Sequence, residues 1–385
     1  MDFEVRESPE MAAFRQEVRA WLEAYPSPYS SISVEGAFLS PQVQEWARTF
    51  QHRLAERGWA APSWPTEYGG GGLTPAHADV VREELDSHGI PPLYESNRQA
   101  AAAILAWGSE GQQRRFIPPL LRGDATAWNL LGDWGALADP DSVAASAVKD
   151  GDFYIVSGEQ ALHGGPGLPT YLCTLAITEP SAPSRRRLGA FLIPANLPGI
   201  SMAEVETVAQ RGQRAVTMDQ VRVPLEYRIG EEGEGWLVAQ SALDTEAGAE
   251  RDLRQQQALA DKLVQYCQET SRGGKPLLQH QGVMDLVVEA YINTHVLRLL
   301  FLRNRWLGSS GRQLPQQAGQ YTLMADANRL RLATLMLETM GPYALLNDQI
   351  WGPLEGGAEA LQRSSLSAAS PQWYRHVYPP SIDPR

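Results

Sequence analysis

The sequence predicts an α+β chain of several domains: a helical domain first, a small β-barrel or sandwich in the middle, and a four-helix bundle last. Three observations predict it. The 385 residues exceed what a single core ordinarily organises. Apolar residues recur at helical spacing up to residue 124 and again from residue 236, and fall in short strand-like runs between those points. The stretch from Val221 to Arg251 shows the second switch directly. Val221 and Val223 alternate with Gln220 and Arg222, as in a half-buried strand, and Pro224 stops the ladder because it has no N–H to donate. Gly230, Gly233 and Gly235 then form an acidic turn. From Trp236 onward, Val238, Ala239, Ala242 and Leu243 share a helix face, with Glu232 and Glu234 ahead of the helix start, where negative charge is favoured.

Composition excludes several function classes. The formal net charge is −12 and no lysine-rich block occurs, which argues against nucleic acid as a partner. Cys173 and Cys267 make no metal-ligand spacing, so no metal site is expected, and two free thiols suit a reducing cytosol. The N-terminus lacks the apolar segment of a signal peptide, and no apolar run approaches the ~20 residues of a membrane span. A cytoplasmic protein is the expectation.

The helical domain takes residues 1–124. Phe14, Val18, Trp21 and Leu22 share one helix face, and Pro26 and Pro28 end that helix. A second helix runs from about Pro41 to Arg57 on Val43, Trp46, Phe50 and Leu54. After Gly58, prolines and glycines exclude regular structure, so Trp59 and Trp64 are expected to be buried as a pair between helices. Thr74 opens a helix with Val80, Val81 and Leu85; its Glu83 and Glu84 are expected on a solvated face or in local ion pairs. Ala100 to Trp107 is a further helical run. In the β domain, 125–235, Ala144–Val148 and Phe153–Val156 flank a Lys149-Asp150-Gly151-Asp152 turn, and Tyr171–Ile177 and Leu188–Ile193 flank a turn containing Arg185-Arg186-Arg187. In the last domain, 236–385, Leu263, Tyr266 and Cys267 continue the helix begun at Trp236. Val283 to Arg305 carries a broad apolar stripe of Val287, Val288, Ile292, Val296, Leu299 and Leu300. Tyr321 to Met340 is stopped by Gly341-Pro342. Long antiparallel helices with such stripes predict the bundle, followed by a docked or frayed tail.

Three stretches carry a resemblance to a known family: GWAAPSWPTEYGGGGLT at 58–74, GQQRRFIPPLLRG at 111–123 and VRVPLEYRIGEEGEGW at 221–236. They resemble the second-helix loop, the domain boundary and the strand-to-helix junction of the acyl-CoA dehydrogenases, flavoproteins that desaturate acyl thioesters. The helical, β, helical order is theirs as well, and the resemblance covers nearly the whole chain. Residues 268–277 and 297–300 resemble the branch from actinobacterial-type lipid and steroid side-chain degradation, whose members often pair unlike subunits. The resemblance implies FAD as cofactor, an acyl-CoA substrate, a homo- or hetero-oligomer (dimer or tetramer), and an electron-transfer partner. It gives Arg185-Arg186-Arg187 two readings: a solvated hairpin tip, or a contact for a CoA phosphate or an acidic partner.

The family reaction needs a carboxylate base, a flavin, and hydrogen bonds to the thioester carbonyl. Here the resemblance breaks in places. The C-terminal stretch where many members keep a glutamate base is SSLSAASPQWYR, 364–375, without a carboxylate. Other members place the base in L-D-x-E-R on the first bundle helix. Leu243-Asp244-Thr245-Glu246-Ala247 puts Glu246 at that position, with Asp244 and Glu250 next in line. The family's S-E-P-G-A-G-S-D flavin loop corresponds to 133–141, so Leu131 and Asp133 are the implied flavin contacts there. Leu162 replaces a flavin-packing tryptophan, and His163 follows it as a new flavin contact or acid/base group. The R-x-x-F-G pyrophosphate motif is reduced to Thr270-Ser271-Arg272-Gly273-Gly274, leaving Arg272. Glu338 and Gly341 fall on the adenosine-side loop. Scaffold motifs are thus kept while chemical motifs are altered. Two functions are consistent with that: an FAD-dependent acyl-CoA dehydrogenase with Glu246 as base, or a non-catalytic subunit contributing to a shared FAD site. A flavin enzyme of another reaction type is a third.

Overall fold

The computed structural model describes residues 8–26, 41–90, 94–130, 140–162, 167–205, 213–242, 245–309, 315–346 and 352–368. The chain forms two compact units, one of residues 1–206 with 211–243 and one of 207–210 with 244–385.

The first unit opens with α1 (Pro9–Ala24), α2 (Pro41–Glu56), α3 (Pro75–Ser87), α4 (Glu95–Trp107) and α5 (Glu110–Arg122). Ser8 caps α1, its hydroxyl accepting from the Met11 N–H at 3.2 Å, with Pro9 in the first turn, where no N–H is required. Val18, Leu22, Phe50, Leu54, Trp59, Val80 and Val81 form the core of α1–α3. Trp59 is buried there as expected, whereas Trp64 is only partly covered and packs on a different cluster. Glu83 and Glu84 are not on a solvated face. Glu84 is 2% exposed and receives Arg15 and Arg19 from α1, and Glu83 receives Arg15 at 2.6 Å. Helical spacing alone cannot show this, because both arginines come from more than sixty residues away.

The GQQ motif is a clamp. Ser109 and Gln112 make a capping box at the start of α5, and Gln112 Nε2 donates to the Glu226 and Arg228 carbonyls at 2.8 Å each. Gln113 accepts from the Tyr68 hydroxyl and donates to the Leu105 carbonyl. Asn97, buried on α4, donates to the Leu120 and Ala125 carbonyls and accepts from the Ala127 N–H, which fixes where the first strand leaves.

That strand is β1 (Ala127–Leu130). It is followed by β2 (Ser146–Asp150), β3 (Phe153–Leu162), β4 (Tyr171–Ile177), β5 (Leu188–Pro194), β6 (Ile200–Val205), β7 (Gln213–Pro224) and β8 (Arg228–Ile229). The order across the sheet is β6-β7-β3-β2-β4-β5-β8, with β1 pairing in parallel with β4. One face buries Trp128, Tyr154, Phe191, Val216 and Val221 together. The other packs Leu175, Leu188 and Leu192 against Phe116, Ile117 and Leu120 of α5 and against Trp236 and Val238 of α6 (Gly235–Ala242). Gly235 permits that last contact. A Cβ there would lie 2.6 Å from the Leu188 carbonyl oxygen, so only glycine lets α6 start against the β5 backbone.

The second unit holds α7 (Thr245–Glu269), α8 (Gln281–Ser309), α9 (Pro315–Met340) and α10 (Gly357–Ala368), the predicted bundle. The helix from Trp236 is described to Ala242 and the helix carrying Leu263 from Thr245, and the stretch where the one was expected to continue into the other, residues 243–244, lies outside the described residues. Leu263, Cys267, Val283, Val287, Leu332, Leu335 and Met336 make the main bundle core. A polar seam crosses it: Asn328 donates to Gln256 and Thr294, and Arg329 joins Asp252 and Asp326. The apolar stripe expected on α8 divides. Val287 is buried and Leu300 partly so, but Val288, Ile292, Val296 and Leu299 are among the exposed large hydrophobics. The helix is apolar on both faces, and a sequence pattern cannot tell which face a chain covers by itself.

Candidate functional site

One depression of the first unit is a cleft of about 770 Å³. Four elements build it: the end of β2 with Lys149, β3 with Tyr154, the β4–β5 connection with Arg185 and Arg186, and the turn into α6 with Glu232, Glu234 and Trp236. The connection is held by its own backbone. Pro183 starts a short 3-10 turn (Ser184–Arg186), the Arg186 and Arg187 N–H groups donate to the Pro183 carbonyl, and the Arg187 carbonyl accepts from Thr178 and Glu179. This presents Arg185 and Arg186 at the cleft and turns Arg187 away to Asp141, at 3.2 Å. The arginine run therefore splits. One member is structural, and two exposed members have no carboxylate partner among the described residues.

The acids of the cleft are largely engaged. Glu232 accepts from Lys149 Nζ and the Tyr154 hydroxyl, both at 3.0 Å, and lies 3.2 Å from Arg228. The hydrogen bond from Lys149, then that from Tyr154, hold its carboxyl below the usual glutamate range. Glu234 accepts from the Glu231 N–H at 2.8 Å, closing the turn. Trp236 is 4% exposed, and its indole N–H is buried with no acceptor. Such donors are nearly always satisfied. Two exposed guanidiniums without a carboxylate partner among the described residues give the cleft a chemistry that suits an anion. The arginine pair was legible in the sequence. The roles of Lys149 and Tyr154 were not, because the Glu232 that both of them reach lies far along the chain.

A second opening, about 30 Å³, lies between α4, β1, β4, β5 and α6 and is lined by Ile104, Asn129, Thr174, Phe191 and Val238, with Cys173 beside them. Asn129 Nδ2 donates to Gln99 Oε1 at 2.6 Å, while its Oδ1 is buried without a donor. Burial pushes the Cys173 thiol up to about 12, so it is no nucleophile.

The expected site residues are placed as follows. Leu131, Asp133 and His163 lie outside the described residues. Leu162 ends β3 opposite Arg214, and Glu246 is in the first turn of α7; the side chains of both lie outside the described residues. Asp244 does too. Glu250 is buried and sits 3.4 Å from Arg254 and 4.0 Å from Arg305, which commits it to ion pairs. Arg272 is exposed on a two-strand hairpin, β9 (Ser271–Arg272) and β10 (Lys275–Pro276), with no carboxylate partner among the described residues. Gly273 and Gly274 have φ of 60° and 79°, the pair of left-handed residues that a two-residue hairpin turn of this hand requires. Glu338 lies 3.6 Å from Arg331, which also binds Glu289. Gly341, at φ 64°, opens the 3-10 turn Gly341–Leu345 with no atom near its Cα face.

A helical domain, an eight-stranded sheet and a helical bundle, in that order along the chain, define the class of fold. The acyl-CoA dehydrogenase N-terminal domain family matches residues 8–124 and the acyl-CoA dehydrogenase C-terminal domain family matches residues 233–365. The chain belongs to the acyl-CoA dehydrogenase family. It is 26% identical to acyl-CoA dehydrogenase FadE26 of Mycobacterium tuberculosis over 93% of this chain and 92% of that protein. Among solved structures it is similar to the ChsE4-ChsE5 complex of the same organism, with TM-score 0.76 and 24% identity over 96% of this chain and 95% of that one. It is also similar to the Tcur3481-Tcur3483 steroid acyl-CoA dehydrogenase, with TM-score 0.81 and 21% identity over 98% and 96%.

FAD is the cofactor of this family. The described residues suit it in two places. Asn129 Oδ1 is an orphaned acceptor on β1, just ahead of residues 131–139, and Arg272 is a guanidinium without a carboxylate partner. The Trp128 N–H is orphaned as well, but neighbouring strand residues face opposite ways, so Trp128 and Asn129 do not serve one ring together. Among the described residues no group of His, Cys, Asp and Glu could hold a metal, and no helix is long and apolar enough to cross a membrane.

Proposed function

We propose that this chain is an FAD-dependent acyl-CoA dehydrogenase that introduces an α,β double bond into an acyl-CoA thioester, in a cytoplasmic setting. The observation that carries the reading is the cleft onto which Arg185 and Arg186 open without a carboxylate partner among the described residues. That cleft receives the phosphate-bearing end of CoA. The two guanidiniums neutralise phosphate. Lys149 and Arg228 hold Glu232 as a paired carboxylate, so it does not repel the anion. Glu246 takes the α-proton onto its carboxylate as the carbon–carbon double bond forms. FAD, when bound, supplies the acceptor for the hydride leaving the β-carbon. Asn129 would offer FAD an acceptor and Arg272 would offer it a cation, and Leu131, Asp133, Leu162, His163, Glu338 and Gly341 are the other residues implied for it.

A second reading is favoured by Leu162 standing at the tryptophan position and by the two-chain complexes among the similar structures. In it, the chain is a non-catalytic subunit that completes an FAD site with a sister chain. Glu246→Gln tests the first reading. Turnover retained at the wild-type level removes Glu246 as base; turnover lost with the flavin spectrum intact supports it.

A further inference from the structure

The cleft that takes the CoA phosphates in the proposed function is lined by three bases, Lys149, Arg185 and Arg186, and by three acids, Glu179, Glu232 and Glu234. The two sets balance, so the pull on a phosphate depends on which of these charges are already engaged. Glu179 and Glu234 accept from neutral donors, the Ser181 hydroxyl at 2.7 Å and the Glu231 N–H at 2.8 Å, and keep their charge. Glu232 is different. Its Oε1 receives two cations where one would balance it, Lys149 Nζ at 3.0 Å and Arg228 Nη1 at 3.2 Å, together with the Tyr154 hydroxyl at 3.0 Å. The two cations are held unequally. Arg228 is 18% exposed, and its other terminal nitrogen pairs with Glu231 at 2.9 Å. Lys149 is 53% exposed and has no other ion-pair partner among the described residues. An ion pair this open to water is weak, and a phosphate offers an ammonium more charge and more acceptor oxygens than one carboxylate does. The flexible four-carbon stem of lysine lets its ammonium follow the better partner, which a guanidinium fixed between two carboxylates cannot do.

We propose, on the footing that this cleft takes the phosphates of CoA, that Lys149 is its third cation: Glu232 holds it in the free protein and yields it to the ligand, while Arg228 and Tyr154 keep the carboxylate. Glu232 is then a positioning residue that competes with the ligand for Lys149 and lowers the affinity of the cleft. Removing its charge frees the lysine in advance.

The test is titration calorimetry of the full chain with free coenzyme A, and with pantetheine as the probe that lacks the phosphates. Glu232→Gln keeps an acceptor for Tyr154 and is expected to bind coenzyme A about 2- to 5-fold more tightly. Lys149→Met is expected to bind it about 2- to 5-fold more weakly, with an affinity that falls less steeply as salt rises. Neither change should alter binding of pantetheine. In the Lys149→Met background, Glu232→Gln should lose its gain, because there is no lysine left to release. A gain of the same size in both backgrounds overturns the proposal, since it would report only the loss of a nearby negative charge. So does a Lys149→Met protein that binds coenzyme A like wild type, a result that stands even if the Glu232 variant does not fold. Arg185→Ala/Arg186→Ala separates this outcome from failure of the cleft itself. Weaker binding in that variant with no effect at Lys149 or Glu232 removes the third cation alone, and unchanged binding removes the cleft and the third cation together.

Discussion

Removing both cleft arginines separates the phosphate end of the substrate from its reacting end. Arg185 and Arg186 are exposed, so the value of about 1.5–3 kcal/mol for a sheltered hydrogen bond to a charged group does not apply to them. A solvent-screened ion pair contributes about 0.2–1 kcal/mol. The double variant Arg185→Ala/Arg186→Ala therefore forfeits roughly 0.4–2 kcal/mol of binding, about a 2- to 30-fold rise in KM. Because these contacts are equal in ground and transition states, kcat should hold. The assay compares an acyl-CoA with the corresponding acyl-pantetheine, which lacks the nucleotide phosphates, at two ionic strengths. Wild type should favour the CoA thioester, with an advantage that shrinks as salt rises. The double variant should lose the advantage and treat the two substrates alike. Equal losses on both substrates, or a fall in kcat at constant KM, would refute the assignment of the cleft.

Other consequences are open to direct measurement. Glu246→Gln should lower turnover by about 10²–10⁴ without altering the flavin spectrum, as expected for removal of a positioned base. Burial alone would raise the Glu84 pKa, but hydrogen bonds and charge from Arg19 and Arg15 outweigh it and hold the carboxyl below 4.5. A lowered folded pKa means stability that is present above the unfolded value and lost as pH falls through the folded one. Thermal unfolding of wild type should therefore show an acid-side loss of Tm that Glu84→Gln lacks, with the variant less stable at pH 7 by about 2–4 kcal/mol. Gly235→Ala drives a methyl into the β5 backbone and should cost about 1–3 kcal/mol in urea unfolding. Burial raises the Cys173 thiol to about 12 and the Cys267 thiol to about 11, so a thiol reagent at pH 8 should label neither until the chain is unfolded.

The architecture was legible because it is written in periodicity. Trp236 with Val238 and Ala239, or Val221 with Val223, declare helix and strand by spacing alone, and the structure places them so. What spacing does not carry is the identity of a partner far along the chain. Glu84 looks like a solvated helix residue until Arg15 and Arg19 arrive from α1. Val288 and Ile292 look like core residues until Val287 and Leu297 are seen to fill the bundle from the other face. The same limit governs the site. Arg185 and Arg186 were visible as a charge run, but only the turn geometry sends Arg187 to Asp141 and leaves the other two free. The orphaned Trp236 N–H has no sequence signature, since an unmet donor is a property of packing.

The most direct measurement is the visible absorbance of the purified chain, first alone and then co-expressed with a sister chain, before and after an acyl-CoA is added. A catalytic dehydrogenase is yellow by itself and bleaches as the thioester is oxidised, and that is the result expected here. A protein that is colourless alone and yellow only with a sister chain would contradict it in favour of the shared-site subunit, and one that is colourless in both would contradict the flavin assignment altogether.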